Sequence, residues 1–236
     1  MTPPRRPVAF DRSQAATYDE KYVRLAALRD ALHLLLSAVF ADLPAEARIL
    51  CVGAGTGHEL IYLARKFPRW SFTVVEPSGP MLDVCRHKAQ ECGITPRCAF
   101  HEGYLHSLPI STEFDGATSL LVSQFILSPE ARVAFFRAIA ERLRPAGLLA
   151  SADLASDITT PAYQSLLSVW LRLMRETDSQ LEQIERLREA YTRDVAVLPA
   201  DQVSAIIASA GFTEPILFHQ AGLIHAWYAE RRSSIA

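Results

Sequence analysis

Residues 49 to 57 read Ile49-Leu50-Cys51-Val52-Gly53-Ala54-Gly55-Thr56-Gly57. A short apolar run breaks into glycine at every second position and then into a helical pattern. Glycines let the backbone turn sharply and let a ligand approach without meeting a Cβ. Amide N–H groups gathered at the start of a helix suit a carboxylate or a phosphate. A dinucleotide fingerprint, G-x-G-x-x-G, would put its third glycine on His58, so this is a different loop. A second signal lies downstream, where Glu76 ends the next apolar run, 19 residues beyond Gly57. An acid at that place in a βαβ unit accepts both hydroxyls of a ribose. Taken singly, the features fit a plain βα turn and a solvated loop acid. Together they point to a nucleoside ligand.

The rest of the chain repeats the alternation. Residues 1 to 10 hold three prolines and two arginines and read as a loose arm. From Ser13 to Leu43, Tyr18, Tyr22, Leu25, Leu28 and Leu32 recur at spacings of three and four, an amphipathic helical stripe. Strands are expected at Arg48 to Val52, Ser71 to Val75, Arg97 to His101, Asp115 to Val122 and Leu148 to Ala152. Helices are expected at His58 to Lys66, about Gly79 to Cys92, and from Ser128 to Leu143. Pro145-Ala146-Gly147 reads as the turn into the fifth strand. This alternation predicts a parallel sheet covered on both faces. Pro161 to Arg193 is then a long helical stretch without a strand, an insertion or lid. Asp201 to Ala210 reads as a helix, and Ile216 to Phe218 with Leu223 to Ala229 as a closing antiparallel pair.

These residues resemble the class I S-adenosylmethionine-dependent methyltransferases over about Arg48 to Leu154, and loosely in the last two strands. The resemblance implies an α/β, Rossmann-like, seven-stranded, mostly parallel sheet with helices on both faces and a helical lid. It implies S-adenosylmethionine as cofactor and S-adenosylhomocysteine as product. Gly53, Ala54, Gly55 and Gly57 would pack against the methionine half. Glu76, followed by Pro77, would hold the ribose, and Met81 would cover the adenine. Gly103-Tyr104-Leu105-His106-Ser107-Leu108-Pro109 matches the frame of the motif after strand three. Tyr104 stands where an Asp usually reads the adenine amine, leaving backbone groups of Tyr104 and Leu105 to serve. Leu121 would lie near the sulfonium, and Tyr18 and Tyr22 would close over the methionine end or merely pack on the sheet. Cys51 stands where many members carry an acid. The implied division is residues 1–45 as arm and cofactor-covering helices, and 46–236 as the methyltransferase domain, with the lid at about 158–195.

Methyl transfer asks the protein mainly to align nucleophile and leaving group, with a base only where the acceptor must lose a proton. His106 has the pKa class for that work. Asp153, after strand five, is the second catalytic candidate, and Gln124 either bonds a substrate or caps local backbone. The lid residues Trp170, Met174 and Tyr191 are pocket candidates, and an apolar, aromatic lining favours a small organic acceptor. The lid stripe buries itself on the sheet or on a second copy of the chain, a homodimer. Arg172, Arg175 and Arg193 read as a solvated face, or as the carboxylate grip of a carboxy-S-adenosylmethionine synthase, the neighbouring cofactor-modifying alternative. A non-catalytic S-adenosylmethionine-binding protein is the other alternative, and a Rossmann dehydrogenase the least favoured. With 24 basic and 26 acidic side chains, general nucleic-acid binding is not expected. Neither a membrane span nor a secretion signal is expected. The four cysteines read as reduced thiols of a cytoplasmic protein, without metal-ligand spacing. Neither a G-x-S-x-G elbow nor a Walker loop occurs, which argues against serine hydrolysis and phosphoryl transfer.

Overall fold

A computed structural model describes residues 11–110, 113–174, 189 and 193–233. Arg175 and Tyr191, and with them much of the lid stretch, lie outside the described residues. Five strands run in parallel: β1 (Arg48–Val52), β2 (Ser71–Glu76), β3 (Cys98–Glu102), β4 (Phe114–Leu120) and β5 (Leu143–Leu154). β6 (Ile216–Ala221) and β7 (Ile224–Glu230) complete a seven-stranded sheet of order β3-β2-β1-β4-β5-β7-β6. β7 is antiparallel to both of its neighbours. Gly222, at φ +59°, closes the tight β6–β7 connection.

Alternate residues of β1 serve opposite layers, so the strand reads as continuously apolar. Ile49 and Cys51 join Leu36, Phe40, Leu60, Leu63 and Phe72 on the face covered by α2 (Ala26–Val39), α3 (His58–Lys66) and α4 (Gly79–Glu91). Leu50 and Val52 join Phe136, Ile139, Ile207 and Trp227 under α5 (Pro129–Ala140) and α7 (Ala200–Ser209). Sheet order reverses direction at β1, whose neighbours are β2 on one side and β4 on the other. Ligands of open α/β sheets bind outside the carboxyl ends of the strands at such a point.

The expected single N-terminal helix is two, α1 (Arg12–Lys21) and α2, joined by a 3-10 turn at Val23–Leu25. β5 starts five residues before the expected Leu148. Leu143 pairs with Phe114, and a register shift absorbs the Pro145-Ala146-Gly147 stretch, where Ala146 takes φ +60°. α5 accordingly stops at Ala140 rather than Leu143. Four of the helix starts carry a capping side chain. Asp11 and Gln14 form a capping box on α1, and Ser78, Ser128 and Thr160 cap α4, α5 and α6 (Pro161–Leu173). α3 differs: it starts from Gly57 at φ +84° with no side-chain cap. Its first amides are thereby left without that partner, at the mouth of the crevice.

Candidate active site

The crevice is built from the tips of β1, β2 and β4. Gly53 donates its N–H to Val75 O at 2.7 Å, which holds the glycine loop against the end of β2. Gly53, at φ +71°, is confined from above, because a Cβ there would stand 2.6 Å from Val122 Cγ2. Val122 is brought over the loop by Leu121, which takes φ +59° at the tip of β4. A bulky residue in the left-handed region is costly, and such outliers gather at functional sites. The Leu121 N–H donates to Ala152 O at 2.7 Å, so β5 holds the kink in place.

Glu76 is buried at the tip of β2. One carboxylate oxygen accepts the Gly55 N–H and the other the Ser78 N–H, each at 2.9 Å. Burial lifts this carboxyl above its ordinary value, while the two backbone donors pull it back down. Pro77 beside it is exposed. Met81 is buried in the first turns of α4, with its Cε 3.5 Å from the place a Cβ on Gly55 would take. Along the other rim, Tyr104 is exposed and its ring lies parallel to that of His106, centroids 5.8 Å apart, while Leu105 turns into the core. His106 itself is exposed on the 3-10 turn Leu105–Ser107.

α1 lies across the glycine loop. Its Asp19 accepts from Thr56 Oγ1 at 2.7 Å, contacts His58 Nε2 at 2.8 Å and pairs with Lys88 of α4. Burial works against the Asp19 carboxylate, but these partners together hold its pKa below the ordinary value. The rings of Tyr18, on α1, and of Tyr22, which caps its C-terminal end, pack with centroids 4.6 Å apart. Tyr22, Leu25 and Leu28 meet Leu121, Leu154, Tyr163, Leu167, Trp170 and Met174 in one apolar cluster above the tips of β4 and β5. Burial raises the Tyr22 phenol above its ordinary pKa.

Asp153 does not open onto this space. It is fully buried, accepting from Ser123 Oγ at 2.7 Å and from the Gln124 N–H at 2.8 Å, with Arg132 Nη2 at 3.6 Å. Burial pushes its pKa up to about 6, against the opposing pull of Arg132 and the two hydrogen bonds. Gln124 caps backbone, its Oε1 accepting the Leu154 N–H at 2.8 Å. Both residues pin the loop after β4 to the end of β5, and so hold the Leu121 kink. Sequence reasoning missed Arg132 and Glu59, both buried, and the grip of Asp19. Glu59 carries one readable sign, an acid one turn from Leu63 on the inward face of an amphipathic helix. Among the described residues, no group of three or more His, Cys, Asp or Glu side chains could hold a metal ion.

Residues 49–147 match the family model described as a methyltransferase domain. An uncharacterized protein of Synechococcus sp. is 31% identical over 103 residues, which are 43% of this chain and 24% of that protein. An O-methyltransferase family protein from Burkholderia thailandensis superposes with a TM-score of 0.69 at 16% identity, over 97% of this chain and 65% of its own. CalO1, a methyltransferase in calicheamicin biosynthesis solved with SAH bound, gives 0.59 at 16% identity, over 91% of this chain and 60% of its own. The chain therefore spans less than two thirds of the length of these relatives, and the structural likeness is one of fold.

Residues 49–147 match a methyltransferase domain, and the sheet has the fold expected of a class I S-adenosylmethionine-dependent methyltransferase. The cofactor of that class is S-adenosylmethionine, and the crevice can be tested against it on its own residues. A loop too close to Val122 for any Cβ, a buried acid at the tip of β2 and a buried thioether beneath Gly55 fit a nucleoside carrying an amino-acid arm. The residues present fit the group.

Proposed function

We propose that this chain transfers a methyl group from S-adenosylmethionine to a small organic molecule, at oxygen, nitrogen or carbon. The observation that carries the reading is the hydrogen bond from Gly55 to the buried Glu76, which joins a glycine cradle to a ribose-type acid at the sheet's reversal point. When bound, the cofactor supplies a methyl group on a positive sulfur, ready for in-line displacement. The chain's own part is alignment. Glu76 would hold the ribose hydroxyls, Gly53, Ala54, Gly55 and Gly57 the amino-acid arm, and Met81 with the Tyr104 and Leu105 backbone the adenine side. Tyr18 and Tyr22 would shut the cleft, and Leu121 would set the floor on which the acceptor approaches.

The acceptor would enter beneath Tyr22, Tyr163, Trp170 and Met174. This cluster is apolar and aromatic and supports a small organic molecule over a polymer. Water exclusion there strengthens every electrostatic contact to the reacting centre. The outer stripe of α6, with Leu166, Val169 and Leu173 exposed, supports a second copy of the chain as partner. Among the described residues, no helix is long and apolar enough to cross a membrane, which is compatible with a cytoplasmic enzyme. Mass spectrometry of small molecules released from the purified protein, followed by methyl transfer from labelled S-adenosylmethionine to an acceptor panel, tests the reading. Release of S-adenosylmethionine or S-adenosylhomocysteine, with label in an acceptor, is expected. A carboxylated cofactor would move the assignment to the cofactor-modifying alternative. Cofactor binding with no turnover on any acceptor would favour the non-catalytic one.

A further inference from the structure

Three side chains meet behind the glycine loop, on the side away from the crevice. Thr118 on β4 and Cys51 on β1 are register partners on adjacent strands. Glu59 reaches them from the first turn of α3, two residues past Gly57, and Thr118 Oγ1 donates to its Oε1 at 2.5 Å. The Cys51 thiol lies beside both. Cys51 and Thr118 are fully buried and Glu59 nearly so, and Cys51 shares one apolar cluster with Leu60, Leu63, Val74 and Leu82. A carboxyl in such a place is costly unless something fixes it. The three elements it joins are the ones whose ends form the cradle: β1 gives Gly53, β4 gives Leu121, and α3 begins at Gly57.

We infer that Glu59 is a positioning residue for the cofactor cradle, its carboxyl setting the glycine loop and the start of α3 against the tip of β4. It touches no part of the crevice described above and acts through the loop. Burial pushes its pKa up to about 7, so a proton on this group is held more tightly than on an ordinary carboxyl. The cluster also has a geometric consequence. Because Cys51 Sγ already stands beside the Glu59 carboxyl, an aspartate at position 51 would deliver its oxygens to the same spot from the strand side. One carboxyl at that spot is enough for Thr118, and two would repel.

The inference rests on the proposed cofactor, and its test separates the two. S-adenosylhomocysteine is titrated calorimetrically into wild type, Glu59→Ala, Thr118→Val, Cys51→Asp and the Cys51→Asp/Glu59→Ala double variant, with a thermal melt for each. Glu59→Ala is expected to weaken binding by about tenfold, the worth of leaving the buried Thr118 hydroxyl without its acceptor. Thr118→Val, which keeps the shape and loses the hydroxyl, is expected to weaken it severalfold. The double variant is expected to bind within about threefold of wild type and to melt above Cys51→Asp alone. A purely structural role would lower the melting temperature without moving affinity, and would give no rescue. Wild-type affinity in Glu59→Ala or Thr118→Val, or a folded double variant binding no better than Glu59→Ala, overturns the inference. If Glu59→Ala does not fold, Thr118→Val decides. Failure of wild type to bind would sink the cofactor reading itself.

Discussion

Replacing Asp153 by Ala is the sharpest way to separate a strut from a catalyst. The carboxylate is wholly buried and holds Ser123, Gln124 and Arg132, and Arg132 is only 1% exposed. Deleting it leaves a buried guanidinium without its counter-charge and two donors without acceptors. Breaking such a pair costs about 3–5 kcal/mol, with the orphaned donors counted within that range. For a domain of this size each kcal/mol lowers the melting temperature by about 2–4 °C, so a fall of roughly 6–20 °C is expected. Circular dichroism melts read this directly. Adding Arg132→Met should recover part of the loss, because replacing both charges is far cheaper than removing one. Cofactor affinity measured well below the melt should fall only modestly, through a loosened Leu121. A melting temperature within about 2 °C of wild type, combined with lost turnover, would refute the strut and make Asp153 a catalytic group.

Gly57→Ala should destabilise by about 2–3 kcal/mol, since φ +84° is strained for alanine and its Cβ would stand 2.5 Å from Cys85 Sγ. Urea unfolding checks this, and adding Cys85→Ala should remove the steric part alone. The acidic core gives a pH dependence. Burial raises Glu59 from 4.5 to about 7 and Asp153 from 3.8 to about 6. The folded state therefore binds these protons more tightly than the unfolded state. Their contribution is complete below about pH 4 and is lost as pH rises through 6 to 7, about 3 kcal/mol for Glu59. Melts between about pH 5 and 8 should fall with rising pH, and Glu59→Gln should flatten the curve. His106→Ala should leave turnover within about threefold, because the ring is exposed and stacked on Tyr104. A loss of about a hundredfold in kcat at unchanged cofactor affinity would instead make it the general base.

Local punctuation made part of this molecule readable. β1 and α3 fall at the expected residues because Gly53, Gly57 and Pro68 mark their ends, and both strands after α7 fall close to expectation. The α1–α2 break was hidden because no Gly or Pro interrupts the stripe between Tyr18 and Leu32. Pro145-Ala146-Gly147 misled in the opposite direction, since a turn-like sequence can also be a bulge when the neighbouring strand supplies a partner. The glycine loop and Glu76 were visible because they lie within one βαβ unit. The Asp19 grip, the Glu59–Thr118 bond and the Asp153–Arg132 pair were not. Each joins residues 21 to 69 positions apart, and only tertiary pairing brings them together.

The central claim is that the crevice between β1, β2 and β4 holds S-adenosylmethionine through Glu76 and the glycine loop. Calorimetric titration of S-adenosylhomocysteine into wild type and Glu76→Ala tests it most directly, with a nicotinamide dinucleotide as the competing ligand. One site on wild type is expected, with a loss of about 1–3 kcal/mol, roughly 5- to 150-fold, in the variant. Equal affinity in the two proteins would contradict the ribose assignment. Binding of the dinucleotide with no binding of S-adenosylhomocysteine would make this crevice a dinucleotide site and exclude S-adenosylmethionine as its ligand.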